Sequence, residues 1–313
     1  DNPLILSVRS GSAISMPGMM TSLLNVGLNL EIVEGLAEKS GNTWFAWDTY
    51  RRFIQSWAMA HGIDRDFFNK LMRTHKQKYE VKKKKEFTGE QMKELALIYR
   101  QSVITLGIPI IDDPWEQLFK SIELILNSWY NKKATAYREI MQIAEEWGTA
   151  VIIQQMVFGN RSPSSGTGVT LTTSPVGKFP RILLWGDYTP NNQGEDIVSG
   201  LVNALPISRE QRKIENREGP SLEEAFPEIY KGLLDLAYYL VYEKGWGHQE
   251  IEFTFESGKR EDLYILQVRD LILRDEEYIP DVKKETLETL QYIGKGIGAV
   301  SYTHLTLPTT ERV

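Results

Sequence analysis

Four polar side chains near the end of the chain have the types and spacing of a metal and phosphate site. Glu250 and Glu252 stand two residues apart, as do Gln267 and Arg269. Carboxylate and amide oxygens are ligands that Mg²⁺ prefers, and a guanidinium can neutralise an accompanying phosphate. The same pattern is also typical of an exposed strand face with ordinary charge pairs, so the spacing leaves both interpretations open.

The stretch that carries these side chains, Gln249–Asp270, is predicted to form a β-hairpin. Apolar and polar residues alternate on both sides of the polar turn Ser257-Gly258-Lys259. Side chains two apart on a strand share a face, so the pair on each strand points the same way. Folding near the glycine puts Glu252 roughly opposite Gln267, which predicts that all four polar side chains line one face.

A second candidate phosphate contact lies at the start of the chain. The apolar run Leu4–Val8 predicts a buried strand, and Arg9 follows it where small residues begin. A guanidinium at this position can meet a phosphate bidentately, or it can be one half of a surface ion pair. The residue type alone leaves both possibilities open.

Residues from about 42 to 147 are predicted to be helical. Capping patterns at Thr88–Gln91 and Asp113–Glu116 each open a helix. The lysine run Lys82–Lys85 between the helices is typical of a solvated linker rather than an anion-binding patch. The first of these helices is predicted to bury Met92, Leu95, Ala96, Tyr99 and Val103. The second is predicted to bury Leu118, Phe119, Ile122, Ile125 and Leu126.

Strands return beyond residue 149. The apolar run Val151–Phe158 is followed by the small residues GNRSPSSGTG and by β-rich stretches at Val169–Thr173 and Arg181–Gly186. Small residues allow backbone N–H groups to approach phosphate, but such runs are most often plain turns, and this one lacks a P-loop ending. A capping box at Ser221–Glu224 precedes a helix that runs from Pro227 to about residue 244 and stops at a glycine.

Composition excludes several classes of function. The 313 residues are 42% hydrophobic and 25% charged, which is typical of a folded protein with a sizeable core. The net charge of −6 argues against general nucleic-acid binding, and no apolar run is long enough for a membrane span. The lack of cysteine excludes disulfides and thiol chemistry. The scattered histidines, expected to be structural or surface residues, are His61, His75, His248 and His304.

Short motifs, taken in order, resemble the nucleotide-binding region of the pyruvate, phosphate dikinase family, whose members carry an ATP-grasp domain. The motifs are SVRSG with SMPGMM, YRRFIQ, SWYNKKATAYR, EWGTAV, QMVFGN with SGTGV, QGEDIVSG, FPEIY, and EIEFTFESG with LYILQVR. They cover roughly residues 1–277. A composite of this length and order is highly specific, and it favours the metal and phosphate interpretation of the hairpin.

The resemblance implies a role for individual residues, and it implies no catalytic residue in this chain. The nucleotide- and phosphate-binding residues that it implies are Arg9, Gly166, Thr167, Gly168, Glu250 and Arg269. The three residues from Gly166 correspond to a flexible loop that covers the phosphates. The metal ligands that it implies, for Mg²⁺, are Glu252 and Gln267.

Three positions depart from the family pattern. Glu250 stands where the family usually has Asp, which keeps the charge and adds one methylene. Thr173-Ser174 replaces the usual Arg-Asn before a proline. Gly186-Asp187 replaces Gly-Glu, and an unusual Thr189-Pro190 follows.

The expected fold is α+β, an incomplete ATP-grasp domain with a helical insertion subdomain. Residues 1–29 supply its first strand and loop, 30–146 the helical insertion, and 147–277 the nucleotide- and metal-binding part. Residues 278–300 resemble a linker into a phosphohistidine domain, and 301–313 form an unrelated tail. The family's glycine-rich upstream lobe, its carrier histidine and its pyruvate barrel find no match, so a truncated gene model is expected.

Members of this family convert ATP, phosphate and pyruvate into AMP, diphosphate and phosphoenolpyruvate through a phosphohistidine. The resemblance implies an ATP-binding phosphotransferase in the cytoplasm, a homo-oligomeric parent, and neither nucleic-acid nor membrane partners. This chain alone is expected not to turn over, because no histidine stands in a carrier setting. Pyruvate, water dikinase and a non-catalytic nucleotide-sensing module are the alternatives, and the SMPGMM loop and helical insertion favour the phosphate-using enzyme.

Overall fold

The structure is a computed structural model that describes residues 3–12, 14, 16, 18–175, 181–194 and 204–271. The predicted linker at 278–300 and the predicted tail at 301–313, with His304, lie outside these residues. The chain folds into two compact units, Asp1–Met156 and Val157–Val313. Each unit combines helices with a β-sheet, so the predicted mixture of helix and sheet is confirmed.

A three-stranded antiparallel sheet organises the first unit. Its strands are β1 (Leu6–Gly11), β2 (Ser22–Val26) and β3 (Ala150–Gln155), in the order β2-β1-β3. The first strand lies further along the chain than the predicted Leu4–Val8, so Arg9 is inside it rather than after it. Leu6 pairs with Gln155, so two strands that are separated in sequence by all the helices of the unit lie side by side in the sheet.

Helices fill the chain between β2 and β3, as predicted, although their status as a separate subdomain stays a prediction. They are α1 (Leu30–Ser40), α2 (Thr43–Ala60), α3 (Arg65–Lys78), α4 (Gly89–Thr105), α5 (Pro114–Asn127) and α6 (Lys132–Met141), with 3₁₀ turns at Lys84–Glu86, Ser128–Tyr130 and Glu145–Trp147. Thr88 and Gln91 form the predicted capping box, and Asp113 caps α5 ahead of its proline. The predicted apolar stripe of α4 is buried along its whole length.

Helix α2 carries large aromatic residues that are buried inside the first unit. Trp47, Tyr50, Phe53 and Trp57 follow one another with ring centroids between 5.7 and 6.2 Å apart. The helix packs against α1, α4 and β2. A helix that is apolar on several sides belongs in a core, so α2 forms the centre of this unit.

A buried carboxylate on the same helix, that of Asp48, contacts three cationic side chains. We call these four residues the Asp48 cluster: Asp48, Arg51, Arg52 and Lys84. The Asp48 carboxylate accepts hydrogen bonds from Arg51 Nε at 2.8 Å, Arg52 Nε at 3.0 Å and Lys84 Nζ at 2.9 Å. Burial raises the pKa of this carboxyl, but the three cations outweigh burial and hold it well below its usual range. The prediction of a solvated linker is therefore wrong for Lys84, because its side chain forms an ion pair with Asp48 of α2.

Helix α5 buries a face that overlaps only partly with the predicted one, with Ile125 common to both. Phe119 is 66% exposed and Leu126 is 44% exposed, and Trp115 is exposed on the same side. The prediction that the first two are buried is therefore wrong. The inward-facing residues are Gln117, Ser121 and Ile125.

Gln117 explains why a polar face points inward. Its amide oxygen accepts a hydrogen bond from the N–H of Gly27 at 2.7 Å. Its amide nitrogen donates to the carbonyls of Leu28 and Ile111 at 2.8 and 2.7 Å. Leaving a buried backbone group without a partner costs about 1–3 kcal/mol, so an amide stabilises this position more than an apolar side chain would.

A five-stranded antiparallel sheet organises the second unit. Its strands are β4 (Gly166–Leu171), β5 (Trp185–Pro190), β6 (Leu205–Pro206), β7 (Gln249–Phe255) and β8 (Leu263–Asp270), in the order β6-β5-β4-β7-β8. The strands predicted from residues 169 and 181 therefore begin at different residues, and the predicted hairpin Gln249–Asp270 is confirmed as β7 and β8.

Helices cover one face of this second sheet. They are α7 (Arg209–Ile214), α8 (Leu222–Ala225) and α9 (Pro227–Tyr238), with a π-helical turn at Tyr239–Glu243 and a 3₁₀ turn at Arg260–Asp262. The capping box at Ser221 is confirmed. Leu233 of α9 belongs to one buried cluster with Phe253 and Phe255 of β7, so this face of the sheet is the core. Within the described part of the chain, no helix has the length and apolarity of a membrane span.

Candidate functional site

The hairpin of β7 and β8 brings the four predicted site residues together on one face. Glu252 pairs with Gln267, and Glu250 pairs with Arg269. Residues directly opposite each other in an antiparallel pair share a face, and so do residues two apart on one strand. The predicted arrangement is confirmed, and we call these four residues the hairpin cluster.

The neighbouring strands extend this polar face. Val169 of β4 lies opposite both Glu252 and Asp187, so Asp187 is the second carboxylate in the row that contains Gln267 and the third on this face. The next row, reached two residues further along each strand, is a line of hydroxyl groups from Thr167, Thr189 and Thr254. The row that contains Glu250 continues instead into the buried apolar side chains of Leu171 and Trp185. Oxygen atoms therefore line only part of the face opposite the helices. Only the hairpin half of it was predicted, because the register of β4 and β5 is not visible in the sequence.

Glu250 and Arg269 form the closest ion pair of the hairpin cluster. Arg269 Nε donates to Glu250 Oε1 at 2.6 Å, and Arg269 Nη2 donates to the same oxygen. Glu250 is only 5% exposed, whereas Arg269 is half-buried. Burial raises the pKa of the Glu250 carboxyl, and the adjacent guanidinium offsets part of that rise.

Glu252 lies at the open side of this pair. Its Oε1 is 3.9 Å from Arg269 Nη2, so one guanidinium serves two carboxylates. Glu252 and Gln267 are both half-buried, and each side chain carries oxygen, the atom type that Mg²⁺ prefers as a ligand. No group of three or more His, Asp or Glu among the described residues is arranged to hold a metal ion by itself. A metal that keeps water and phosphate in its shell, as Mg²⁺ does, needs only one or two protein carboxylates.

Asp187 has an ion-pair partner that the sequence did not suggest. Arg217 Nη1 donates to Asp187 Oδ1 at 2.6 Å, and both side chains are partly exposed. The contact spans 30 positions of sequence and joins a strand to the segment after α7. No local pattern marks such a pair, so sequence reasoning missed Arg217.

The prediction of a flexible loop at Gly166, Thr167 and Gly168 is wrong, because these residues form the first half of β4 and are buried. A Cβ at Gly166 would meet the ring of Phe255 at 2.5 Å, and one at Gly168 would meet the ring of Phe253 at 2.6 Å. Glycine is required here because aromatic rings lie directly on the strand. The two glycines that predicted a flexible loop are instead explained by close packing of aromatic rings against the strand.

The segment just before β4 does form a loop. It runs from Gly159 to Ser165, whose buried hydroxyl donates to the carbonyls of Gly159 and Ser162 at 2.8 and 2.7 Å. Glu256 holds its base by accepting from the N–H of Phe158 at 3.0 Å. The run of small residues noted in the sequence therefore divides into a loop held by hydrogen bonds and the first half of strand β4.

Arg9 lies in the central strand of the first unit. It sits opposite Ser22 of β2 and Ile152 of β3, and its side chain is half-buried. The structure thus places it on a sheet rather than at the end of a strand. Its role in phosphate binding stays a prediction.

The three described histidines are held by structural hydrogen bonds. His61 Nδ1 lies 2.8 Å from the carbonyl of Trp57, and His75 Nε2 lies 2.8 Å from that of Gln91. His248 Nδ1 lies 3.1 Å from Thr172 Oγ1, and burial lowers its pKa. These positions agree with the structural role predicted for them.

Comparison with known proteins identifies the family. Residues 1–222 match the family model described as pyruvate phosphate dikinase, AMP/ATP-binding domain. The chain is 41% identical over 269 residues to pyruvate, phosphate dikinase of Rickettsia prowazekii (strain Madrid E), covering 86% of this chain and 29% of that protein. It is 39% identical over 276 residues to that of Clostridium symbiosum, with the same shares covered. It is also 39% identical over 274 residues to that of Giardia intestinalis, again with 86% and 29% covered. The chain spans less than a third of the length of these relatives, and it belongs to the pyruvate, phosphate dikinase family.

Proposed function

We propose that this chain binds an adenine nucleotide together with Mg²⁺ on the polar face of its second sheet, as part of an ATP-grasp domain. The observation that carries the proposal is the register of β7 and β8, which sets two carboxylates, an amide and a guanidinium side by side. Membership of a family whose model is described as AMP/ATP-binding gives the ligand class. The domain division at 29/30 and 146/147 belongs to the same proposal.

Glu252 and Gln267 are the proposed metal ligands. Their oxygens suit a hard cation, and the small number of protein ligands suits Mg²⁺, which completes its shell with water and phosphate. When bound, the metal supplies positive charge that screens the nucleotide phosphates. Arg269 is proposed to donate hydrogen bonds to a phosphate, and Glu250 to hold Arg269 in place.

Two further elements are proposed to contact phosphate. Arg9 carries a guanidinium that can bind a phosphate bidentately. In the second unit, Gly166, Thr167 and Gly168 act by packing, which fixes the end of the loop at 159–165 where backbone N–H groups can approach an anion. This assigns the phosphate contact to the loop and the anchoring to the strand.

The activity of the whole protein is proposed from its family. It would convert ATP, phosphate and pyruvate into AMP, diphosphate and phosphoenolpyruvate through a phosphohistidine. None of the described histidines is proposed as the carrier, because none stands in the sequence setting expected of the family's carrier histidine. The role proposed for this chain is to position the nucleotide.

A non-catalytic nucleotide-sensing module is the second candidate. It is favoured by Thr173 and Ser174, which are both 3% exposed where the family usually has a cation and an amide. It is also favoured by Asp187, whose carboxylate is held by Arg217. Such a module would bind nucleotide without needing the metal.

Titration calorimetry with ATP and AMP, with and without Mg²⁺, tests the proposal. We expect Mg²⁺ to tighten ATP binding, and Glu252→Gln to remove that gain with a loss of about tenfold or more, as for a metal ligand or its neighbour. The matched control is Glu261→Gln, an exposed carboxylate in the same hairpin. Mg²⁺-independent binding would favour the sensing module. Identical titrations for Glu252→Gln and the control would reject the metal site.

A further inference from the structure

The Arg269 guanidinium already occupies the cation position between the two carboxylates of β7. It donates twice to Glu250 Oε1, once over 2.6 Å, and its Nη2 lies 3.9 Å from Glu252 Oε1. Glu250 is buried and commits this oxygen to the arginine, whereas Glu252 is half-buried. The arginine is therefore fastened at one carboxylate and shared with the other.

We infer that Glu250 is a positioning residue that holds Arg269 against Glu252, so that a divalent cation and a nucleotide phosphate bind this face cooperatively rather than independently. The inference rests on the proposed function and adds to it a linkage between its two ligands. It also separates the two carboxylates, one as an anchor for the arginine and the other as the metal ligand.

Charge balance gives the direction of the linkage. A divalent cation arriving alone at Glu252 meets a guanidinium that neutralises this carboxylate and repels the cation. A phosphate arriving with the cation accepts hydrogen bonds from the same guanidinium, which turns the repelling charge into a ligand contact. Each ligand therefore raises the affinity for the other by the same factor.

Removing the arginine charge should change the two affinities in opposite directions. We use Mn²⁺ as the probe, because its electron paramagnetic resonance signal reports free metal directly. Arg269→Met is expected to bind Mn²⁺ alone about fivefold or more tightly than the unmodified chain. It is expected to bind Mn²⁺–ATP about tenfold or more weakly, because the phosphate contact is lost.

A matched control removes the same charge elsewhere on the hairpin. Arg260 pairs with Asp235 at the turn end and is half exposed, so Arg260→Met should leave both affinities unchanged. Arg269→Lys keeps the charge but not the fork of donors. It should leave Mn²⁺ binding close to that of the unmodified chain and weaken Mn²⁺–ATP binding. Backbone NMR spectra of all variants establish that each is folded.

The anchor role of Glu250 has its own measurement. The Nε–H of Arg269 should give a distinct, slowly exchanging ¹⁵N signal in the unmodified chain and in Glu250→Asp, which keeps the charge. Glu250→Gln should lose that signal and bind Mn²⁺ alone more weakly, because the released guanidinium moves to Glu252.

Two results would overturn the inference in distinguishable ways. If Arg269→Met weakens Mn²⁺ and Mn²⁺–ATP binding together, or leaves Mn²⁺ binding unchanged, the linkage is wrong while the proposed site stands. If Mn²⁺–ATP binding is the same in Glu252→Gln as in the unmodified chain, the proposed site and the linkage are both wrong.

Discussion

The two units each contain a cluster of carboxylates and cations, and the charge balance of the two clusters is opposite. The Asp48 cluster in the first unit surrounds one fully buried carboxylate with two buried arginines and a partly buried lysine. The hairpin cluster in the second unit sets two carboxylates against one half-buried arginine. One cluster has a surplus of positive charge around a carboxylate that is closed from water. The other has a surplus of negative charge, with Glu250 buried but Glu252 and Arg269 partly exposed to water.

This difference separates a structural use of charge from a binding use. Buried ions must satisfy one another, because removing one partner leaves an uncompensated charge in a poorly polar interior. Ions at a partly open face can exchange one partner for a ligand or for water at small cost. The first cluster is therefore expected to determine stability, and the second to determine binding.

The largest expected effect is on the Asp48 cluster. Asp48→Ala should lower the free energy of unfolding of the first unit by about 3–5 kcal/mol, because three cations lose their shared carboxylate. Hydrogen–deuterium exchange along α2, read separately from that along β7, measures the effect in each unit. Glu123→Ala, an exposed carboxylate paired with Lys120, is the control and should change exchange very little. Equal protection of α2 in both variants would contradict the comparison.

A smaller effect is expected for the lysine of the same cluster. Lys84→Met should cost about 1–2 kcal/mol in the same experiment, because both arginines still hold the carboxylate. The neighbouring Lys83 is exposed, so Lys83→Met serves as the control. A cost as large as that of Asp48→Ala would mean that the cluster depends on the lysine and not on the arginines.

Removal of a carboxylate from the hairpin cluster should affect stability less. Glu250→Gln is expected to change the free energy of unfolding of the second unit by at most about 1 kcal/mol, because Arg269 retains contact with water and with Glu252. Exchange along β7 and β8 measures it, with Glu261→Gln as the control. A loss comparable to that of Asp48→Ala would make this cluster structural and remove the contrast.

The smallest effect, a titration, should have opposite signs in the two clusters. The pKa of Asp48 is lowered, so its unfolded form binds more protons and stability is lost as pH falls through the lowered value. The pKa of Glu250 is raised, so its native form binds more protons and stability falls as pH rises from the usual value to the raised one. Carboxyl ¹³C chemical shifts measured against pH would give the pKa of each group. Two pKa values displaced in the same direction from their usual values would contradict the comparison.

Local patterns in the sequence were sufficient for much of this fold. The hairpin register follows from alternation and a turn, and the capping boxes at Thr88 and Ser221 follow from residues three apart. Each of these involves neighbours in sequence. The four residues of the hairpin cluster could be placed together for the same reason.

Features that depend on distant partners could not be predicted. Gln117 faces the interior because it hydrogen-bonds backbone groups up to 90 positions away in the sequence. Lys84 differs from the other lysines of its run because it donates a hydrogen bond to the Asp48 carboxylate on α2. Gly168 resembles a loop residue until the ring of Phe253 is placed above it. In each case the residue type is explained by a contact with a residue that is distant in sequence and that the sequence alone does not identify.

The pairing of β1 with β3 sets an order of events during synthesis. Leu6 leaves the ribosome before its partner Gln155, which emerges only after the helices between them. Closing so long a loop is entropically costly, so we expect the helices, whose contacts are local, to form first and the sheet to close last. Until then one edge of β1 has no strand beside it and can pair with another nascent chain. The time spent making the helices is therefore the period in which this unit is most exposed to aggregation.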